Sequence, residues 1–74
     1  MTRLPTLNAR RIIQALEKAG FVFDRQTGSH YILRQRFTRR TTCVPKHGKD
    51  IKRSLMKNII QQAGLTEEKF RELL

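Results

Sequence analysis

The sequence predicts a single small α+β domain, in which a three-stranded antiparallel sheet carries helices on one face. Three observations predict this class: helical spacing of apolar residues near the N-terminus, alternation of apolar and polar residues in the middle, and helical spacing again afterwards. The 74 residues suffice for one domain, because so short a chain buries only about 60% of its unfolded surface. We therefore expect residues 1–74 to form a two-layer α-β-β-β-α domain with a short C-terminal helix and one solvent-exposed sheet face.

The first helix is expected over residues 9–19. Apolar residues recur three and four positions apart from Ala9 to Leu16. Asn8 is suited to cap the N-terminus of this helix, and Gly20 suits the left-handed position after its C-terminus.

The first strand is expected from Phe21, where the apolar period changes to two, and it ends at a Thr27-Gly28 turn. The second strand is expected from about Ser29 to Phe37. Alternation assigns its residues to a core face with Tyr31, Leu33 and Phe37, and to an exposed face with His30, Ile32, Arg34 and Arg36. Tyr31 and Phe37 could instead be aromatic residues on which nucleic-acid bases stack, but their alternation with Leu33 favours the core.

A third strand is expected over the β-branched stretch Thr41 to Val44, which Pro45 ends. Either Asp50 or Ser54 is expected to cap the second long helix. Its apolar stripe ends at a glycine and comprises Ile51, Leu55, Met56, Ile59, Ile60 and Ala63. Thr66 is expected to cap the short terminal helix, with two glutamates in its first turn.

The formal charge of +10 predicts a polyanionic partner. Nine of the sixteen basic residues lie between Arg34 and Lys57, where only Asp50 opposes them. Such a charge run is often only a solvated face, but its size here favours nucleic acid. A membrane surface is disfavoured because no basic amphipathic helix has a Trp- or Phe-rich opposite face. The expected phosphate contacts include a loop and a helix start: Lys46, Lys49, Lys52 and Arg53.

His30 is the first candidate for chemistry, because it begins the second strand on the face that carries arginines. Histidine takes up and releases a proton near neutral pH, as attack of a ribose 2′-hydroxyl on the adjacent phosphate requires. Arg34 and Arg36 could stabilise the developing negative charge. A surface histidine without a function is the alternative. His47, in the following basic loop, could be a second acid/base group, a phosphate contact or a structural residue.

No metal or cofactor is expected. Cys43, His30 and His47 lack the paired spacing of a zinc site, and the carboxylates are too scattered in sequence for two-metal nucleolysis. The lone cysteine does not form an internal disulfide, and the N-terminal residues include no apolar export segment. We therefore expect a cytoplasmic protein with no association with membranes.

Several short motifs, in order along nearly the whole chain, resemble the HicA family of toxin mRNA interferases. They are Leu16-Glu17-Lys18-Ala19-Gly20-Phe21, Arg25-Gln26-Thr27-Gly28-Ser29-His30, Val44-Pro45-Lys46-His47, Leu55 and Ile59-Ile60-Gln61-Gln62-Ala63-Gly64-Leu65. The resemblance implies a fold like the double-stranded RNA-binding domain, mRNA cleavage without the ribosome, and a HicB antitoxin as partner. It also implies that His30, in Gly-Ser-His, is the catalytic histidine.

Two functions from different classes follow. The first is a toxin that cleaves mRNA without a metal, using His30 as acid/base. The second is a non-catalytic module that binds A-form RNA by its shape through the same basic surface. Cleavage of RNA in the presence of EDTA would distinguish the first from the second.

Overall fold

The computed structural model describes residues 6–46 and 50–74, and it confirms the predicted α+β class. The sheet is antiparallel with strand order β1-β2-β3. The elements, in chain order, are α1 (Ala9–Lys18), β1 (Phe21–Thr27), β2 (His30–Gln35), β3 (Thr41–Pro45), α2 (Arg53–Gln62) and α3 (Glu67–Glu72).

Helix α1 begins at the predicted residue and ends at Lys18, one residue before the predicted end. The Asn8 side chain accepts a hydrogen bond from the backbone N–H of Arg11 at 2.9 Å, which satisfies one of the donors that have no partner within the helix. Gly20 follows the helix with φ +93°, a conformation that residues with a Cβ rarely adopt. The chain thereby reverses into β1 within two residues.

Replacing Asn8 by alanine is expected to lower the free energy of unfolding by about 0.5–2 kcal/mol, because the N–H of Arg11 loses its partner. Asn8→Asp is the matched control, since a carboxylate accepts the same hydrogen bond and should keep stability near that of the parent chain. Urea denaturation of both variants measures the difference. Equal stability of the alanine and aspartate variants would contradict the capping role.

The core lies between the sheet and the three helices. It comprises Ala9, Ile12, Ala15, Leu16, Phe21, Leu33, Val44, Ile51, Met56, Ile59, Ile60, Ala63 and Phe70. The hydroxyl of the buried Thr42 donates a hydrogen bond to the carbonyl oxygen of Ile59 at 3.0 Å. This bond joins β3 to α2, and it marks the face of the sheet that the helices cover.

Two residues assigned to the core are exposed. Phe37 is 84% exposed, because β2 ends at Gln35 and Phe37 lies in the following turn. Leu55 is also exposed. Helix α2 begins only at Arg53, so the residue at position 51 is not part of its apolar stripe and Leu55 falls at the edge of that stripe. Tyr31 is half-buried, whereas Leu33 is buried as predicted.

The predicted caps of α2 are wrong. Lys52 occupies the N-cap position and makes no side-chain capping hydrogen bond. Ser54 lies inside the helix, and Asp50 instead accepts a hydrogen bond from the Thr6 hydroxyl. The cause is tertiary, because the N–H of Ile51 donates to the carbonyl oxygen of residue 7 at 2.8 Å. Thr66, by contrast, caps α3 as predicted by accepting from the N–H of residue 69.

Candidate functional site

His30 is the first residue of β2 and is exposed, as the sequence predicts. It follows the two-residue turn Gly28-Ser29, in which Gly28 has φ +56°, the arrangement of a hairpin turn with glycine in its first position. Its side chain lies on the open face, the side of the sheet that carries His30, Ile32 and Arg34 and faces away from the helices. The sharp turn therefore places His30 at the rim of the sheet.

Lys46 lies beside His30. Its backbone N–H donates a hydrogen bond to the carbonyl oxygen of Ser29, the residue before His30, and Pro45 pairs with His30 across the sheet. The exposed Lys46 ammonium lies 5.9 Å from the centre of the Tyr31 ring. The predicted histidine and the first predicted phosphate-binding lysine therefore lie at the same end of the sheet, with the lysine side chain on the helix side beside Tyr31 and the histidine on the open face.

Arg34 shares the open face with His30 but is four residues further along the strand, a separation of about 13 Å. Its guanidinium forms an ion pair with Asp24 at 3.1 Å, and the same carboxylate oxygen pairs with Arg25 at 2.6 Å. Asp24 therefore offsets part of the charge of Arg34, and the contact of Arg34 with RNA stays a prediction.

The register of β1 explains why the sequence did not predict the cluster of Asp24, Arg25 and Arg34. The pairing with β2 shifts between Phe23 and Arg25, which is a β-bulge at Asp24. Strict alternation would place Arg25 on the helix side with Phe21 and Phe23, but the bulge moves it to the open face. The sequence indicates this bulge only by the end of the apolar alternation after Phe23.

The remaining predicted phosphate contacts are divided between the two ends of the sheet. Arg36 is exposed in the turn after β2 and lies off the sheet face, roughly 20 Å from His30 along the strand. Lys52 and Arg53 are exposed at the start of α2. The bridge between Leu7 and the residue preceding Lys52 brings that start next to the start of α1.

A groove lies between α1 and the His30 end of the sheet. Its volume is about 490 Å³, and it is lined by Ala9, Arg10, Ile13, Gln14, Glu17, Tyr31 and Lys46. The Tyr31 ring meets the edge of the Phe23 ring at a centroid distance of 6.1 Å. Because Ala9 and Arg10 line this groove together with Lys46, the start of α1 lies at the same end of the molecule as His30, and the bridge from Leu7 to Ile51 brings the start of α2 there too.

A comparison with protein-family models matches residues 9–65 to the HicA toxin of bacterial toxin-antitoxin systems. The chain belongs to the HicA toxin family. A comparison with curated proteins gives no significant match. Membership implies a toxin that has a cognate antitoxin. The match extends from the start of α1 to Leu65, three residues after α2, and includes His30 and Lys46, whereas α3 lies beyond it.

Two predicted site residues of this HicA-family chain, His47 and Lys49, lie outside the described residues, so their roles stay predictions. Cys43 is a free, half-buried thiol that pairs with Ile32 on the open face. Within residues 6–46 and 50–74, no three His, Cys, Asp or Glu side chains come together as metal ligands. None of the helices in those ranges has the length and apolarity to span a membrane.

Proposed function

We propose that this chain is a metal-independent endoribonuclease that cleaves mRNA, with His30 as its acid/base group. The observation that carries the proposal is the placement of an exposed histidine beside Lys46 at the basic end of the sheet, in a chain of the HicA toxin family. The starts of α1 and α2 add further cations at this end, among them Arg10 and Lys52.

The proposed reaction needs one proton acceptor and one proton donor near the scissile phosphate. His30 takes the proton of a ribose 2′-hydroxyl, whose oxygen attacks the adjacent phosphorus. The bond from phosphorus to the 5′-oxygen breaks, and that oxygen takes a proton from a solvent water molecule. The products are a 2′,3′-cyclic phosphate and a 5′-hydroxyl. The Lys46 ammonium lies over Tyr31 on the helix side of the sheet, and in this proposal its flexible side chain reaches around the end of β2 to stabilise the negative charge that develops on the phosphate.

The antitoxin that the family implies is proposed to be a HicB-type protein that restrains the nuclease. An acidic protein would associate rapidly with so basic a surface, and the association rate would fall as salt rises. Covering the His30 end would exclude RNA. Co-purification with the antitoxin, followed by a cleavage assay on the complex, tests this proposal. A complex that cleaved RNA at the full rate would contradict it.

The experiment that tests the function incubates the purified chain with labelled RNA in excess EDTA. The proposal predicts fragments at the same rate with and without the chelator. Binding without cleavage under both conditions would instead support a non-catalytic RNA-binding module. Cleavage that EDTA abolishes would contradict the metal-independent mechanism.

Replacing Lys46 by glutamine is expected to weaken RNA binding and to reduce its salt dependence. One lost phosphate contact lowers the slope of log affinity against log salt by about 0.7 for a single strand. Lys69→Gln is the matched control, because Lys69 is exposed on α3 and pairs with Glu72. Fluorescence anisotropy at several salt concentrations measures both. Equal slopes for the two variants would contradict the placement of Lys46 at the RNA.

Replacing Asp24 by asparagine is expected to strengthen RNA binding, because the change frees Arg25 and Arg34 for phosphates. The slope of log affinity against log salt should steepen by about 0.7 for each additional phosphate contact. Glu72→Gln changes the net charge equally but lies on α3, so it separates a local effect from a global one. Fluorescence anisotropy titrations at several salt concentrations measure RNA affinity for both variants. If Glu72→Gln increased RNA affinity as much as Asp24→Asn does, RNA contact with the open face would be contradicted.

A further inference from the structure

The turn between β2 and β3, residues 36–40, presents an aromatic ring to solvent among arginines. The Phe37 side chain is 84% exposed, well above the 57% of Phe23. Arg36 and Arg39 flank it and are also exposed. From residue 25 to residue 49 the sequence contains no acidic residue. This end of the molecule therefore combines a free aromatic face with uncompensated positive charge.

The turn is held in one conformation by hydrogen bonds to Gln35. Its side-chain oxygen accepts from the backbone N–H groups of Phe37 and of Thr38, the latter at 2.9 Å. Its backbone carbonyl accepts from the N–H of Arg39 at 3.0 Å, and the N–H of Arg36 donates to the carbonyl oxygen of Gly20 at 3.1 Å. Because the turn is already ordered, a ligand that contacts Phe37 does not have to order it.

Arg39 has a backbone conformation that its side chain disfavours. Its φ is +65°, in the left-handed region that glycine adopts readily and that residues with a Cβ avoid. The hydrogen bonds to Gln35 hold this conformation. An arginine at such a position adds a cation beside Phe37 that glycine would not supply.

Arg40 has a different environment. Its side chain packs against Gly64 at the end of α2. A Cβ added to Gly64 would lie only 2.8 Å from the Arg40 side chain. The cations available to a ligand of the turn are therefore Arg36 and Arg39. Two exposed arginines in the same turn as one exposed ring match a nucleotide, which offers a planar base and a phosphate. They disfavour a second copy of this chain, whose charge is also +10.

We propose that this turn is a second RNA-binding site, in which an unpaired base stacks on Phe37 while Arg36 and Arg39 contact the flanking phosphates. The inference rests on the proposed function in one respect, since it takes RNA as the ligand. The turn and His30 lie at opposite ends of β2, roughly 20 Å apart. One RNA strand that reached both sites would pass Arg34 on the open face. Phe37 would then hold that strand several nucleotides from the scissile phosphate.

The test measures RNA binding in a His30→Ala background, so that the RNA stays intact whether or not the chain cleaves it. Phe37 is replaced by alanine, leucine or tyrosine, and fluorescence anisotropy reports affinity for single-stranded RNAs of about 4 and about 16 nucleotides, the span of known single-strand sites. Because Phe37 is exposed, thermal unfolding should show the same stability for all variants.

We expect Phe37→Ala to weaken binding of the longer RNA about 5- to 150-fold, the effect of losing one stacked base. Phe37→Leu should weaken it similarly, because it has no ring, and Phe37→Tyr should restore it. The shorter RNA has too few nucleotides to occupy both sites fully, so Phe37→Ala should weaken its binding much less than it weakens binding of the longer RNA.

Unchanged affinity of Phe37→Ala for the longer RNA would overturn the inference, and so would full affinity of Phe37→Leu. Loss of antitoxin binding alone would assign the turn to a protein partner and would also overturn it. If the parent chain fails to cleave RNA while Phe37-dependent binding persists, the proposed nuclease function fails and the second site stands. If the chain cleaves RNA and Phe37 has no effect, only the second site fails.

Discussion

Replacing His30 by alanine is expected to slow RNA cleavage about 10²- to 10⁴-fold, the usual effect of losing a general acid/base group. His30 is exposed at the start of β2, so the change creates no cavity and should leave the thermal unfolding temperature near that of the parent chain. RNA affinity should also persist, because the proposed phosphate contacts come from Lys46 and the helix starts. Single-turnover cleavage and RNA binding, measured on the same preparation, separate catalysis from recognition.

The matched variant for this experiment is Ser29→Ala. Ser29 is the exposed neighbour of His30, and its carbonyl oxygen, which accepts from Lys46, is kept by the substitution. Ser29→Ala should therefore cleave RNA at close to the parent rate. If His30→Ala cleaves as fast as Ser29→Ala, His30 is not the acid/base group and His47 becomes the first candidate.

Replacing Phe70 by alanine is expected to lower the free energy of unfolding by about 3–5 kcal/mol, the cost of removing a large aromatic side chain from a packed core. Phe70 is fully buried although it belongs to the short helix α3. So small a domain has little stability to lose. We therefore expect a large fall in the unfolding temperature, measured by circular dichroism.

Phe70→Leu is the control for this change, because it keeps apolar volume in the same space and should retain most of the stability. The family match ends before α3, so the experiment also asks whether α3 is part of the folded unit. An alanine variant as stable as the parent chain would show that α3 does not contribute to the core.

Local signals in the sequence predicted the fold well. Asn8 and Thr66 cap their helices, and Gly20 adopts the expected positive φ, because each depends only on residues within one helical turn. The wrong caps of α2 have a tertiary cause. The hydrogen bond between Ile51 and residue 7 fixes where α2 begins, and no periodicity in the sequence reveals that bond.

The candidate site was predictable in part for the same reason. His30 follows a Gly-Ser turn, so its exposure at the start of a strand could be predicted from neighbouring residues. The ion pair between Arg34 and Asp24 could not be predicted from the sequence, because it depends on the β-bulge in β1. Phe37 was assigned to the core because alternation was extended past Gln35, whose side chain instead ends the strand by accepting from the turn.

The central claim is that His30 catalyses attack by the ribose 2′-hydroxyl, and the chemistry of the product ends tests it most directly. An RNA with a single 2′-deoxynucleotide at a mapped cleavage site should resist cleavage at that site in EDTA. The unmodified RNA should give a 2′,3′-cyclic phosphate and a 5′-hydroxyl, in amounts that fall about 10²- to 10⁴-fold in His30→Ala. Cleavage at the deoxynucleotide, or products with a 5′-phosphate and a 3′-hydroxyl, would contradict the account.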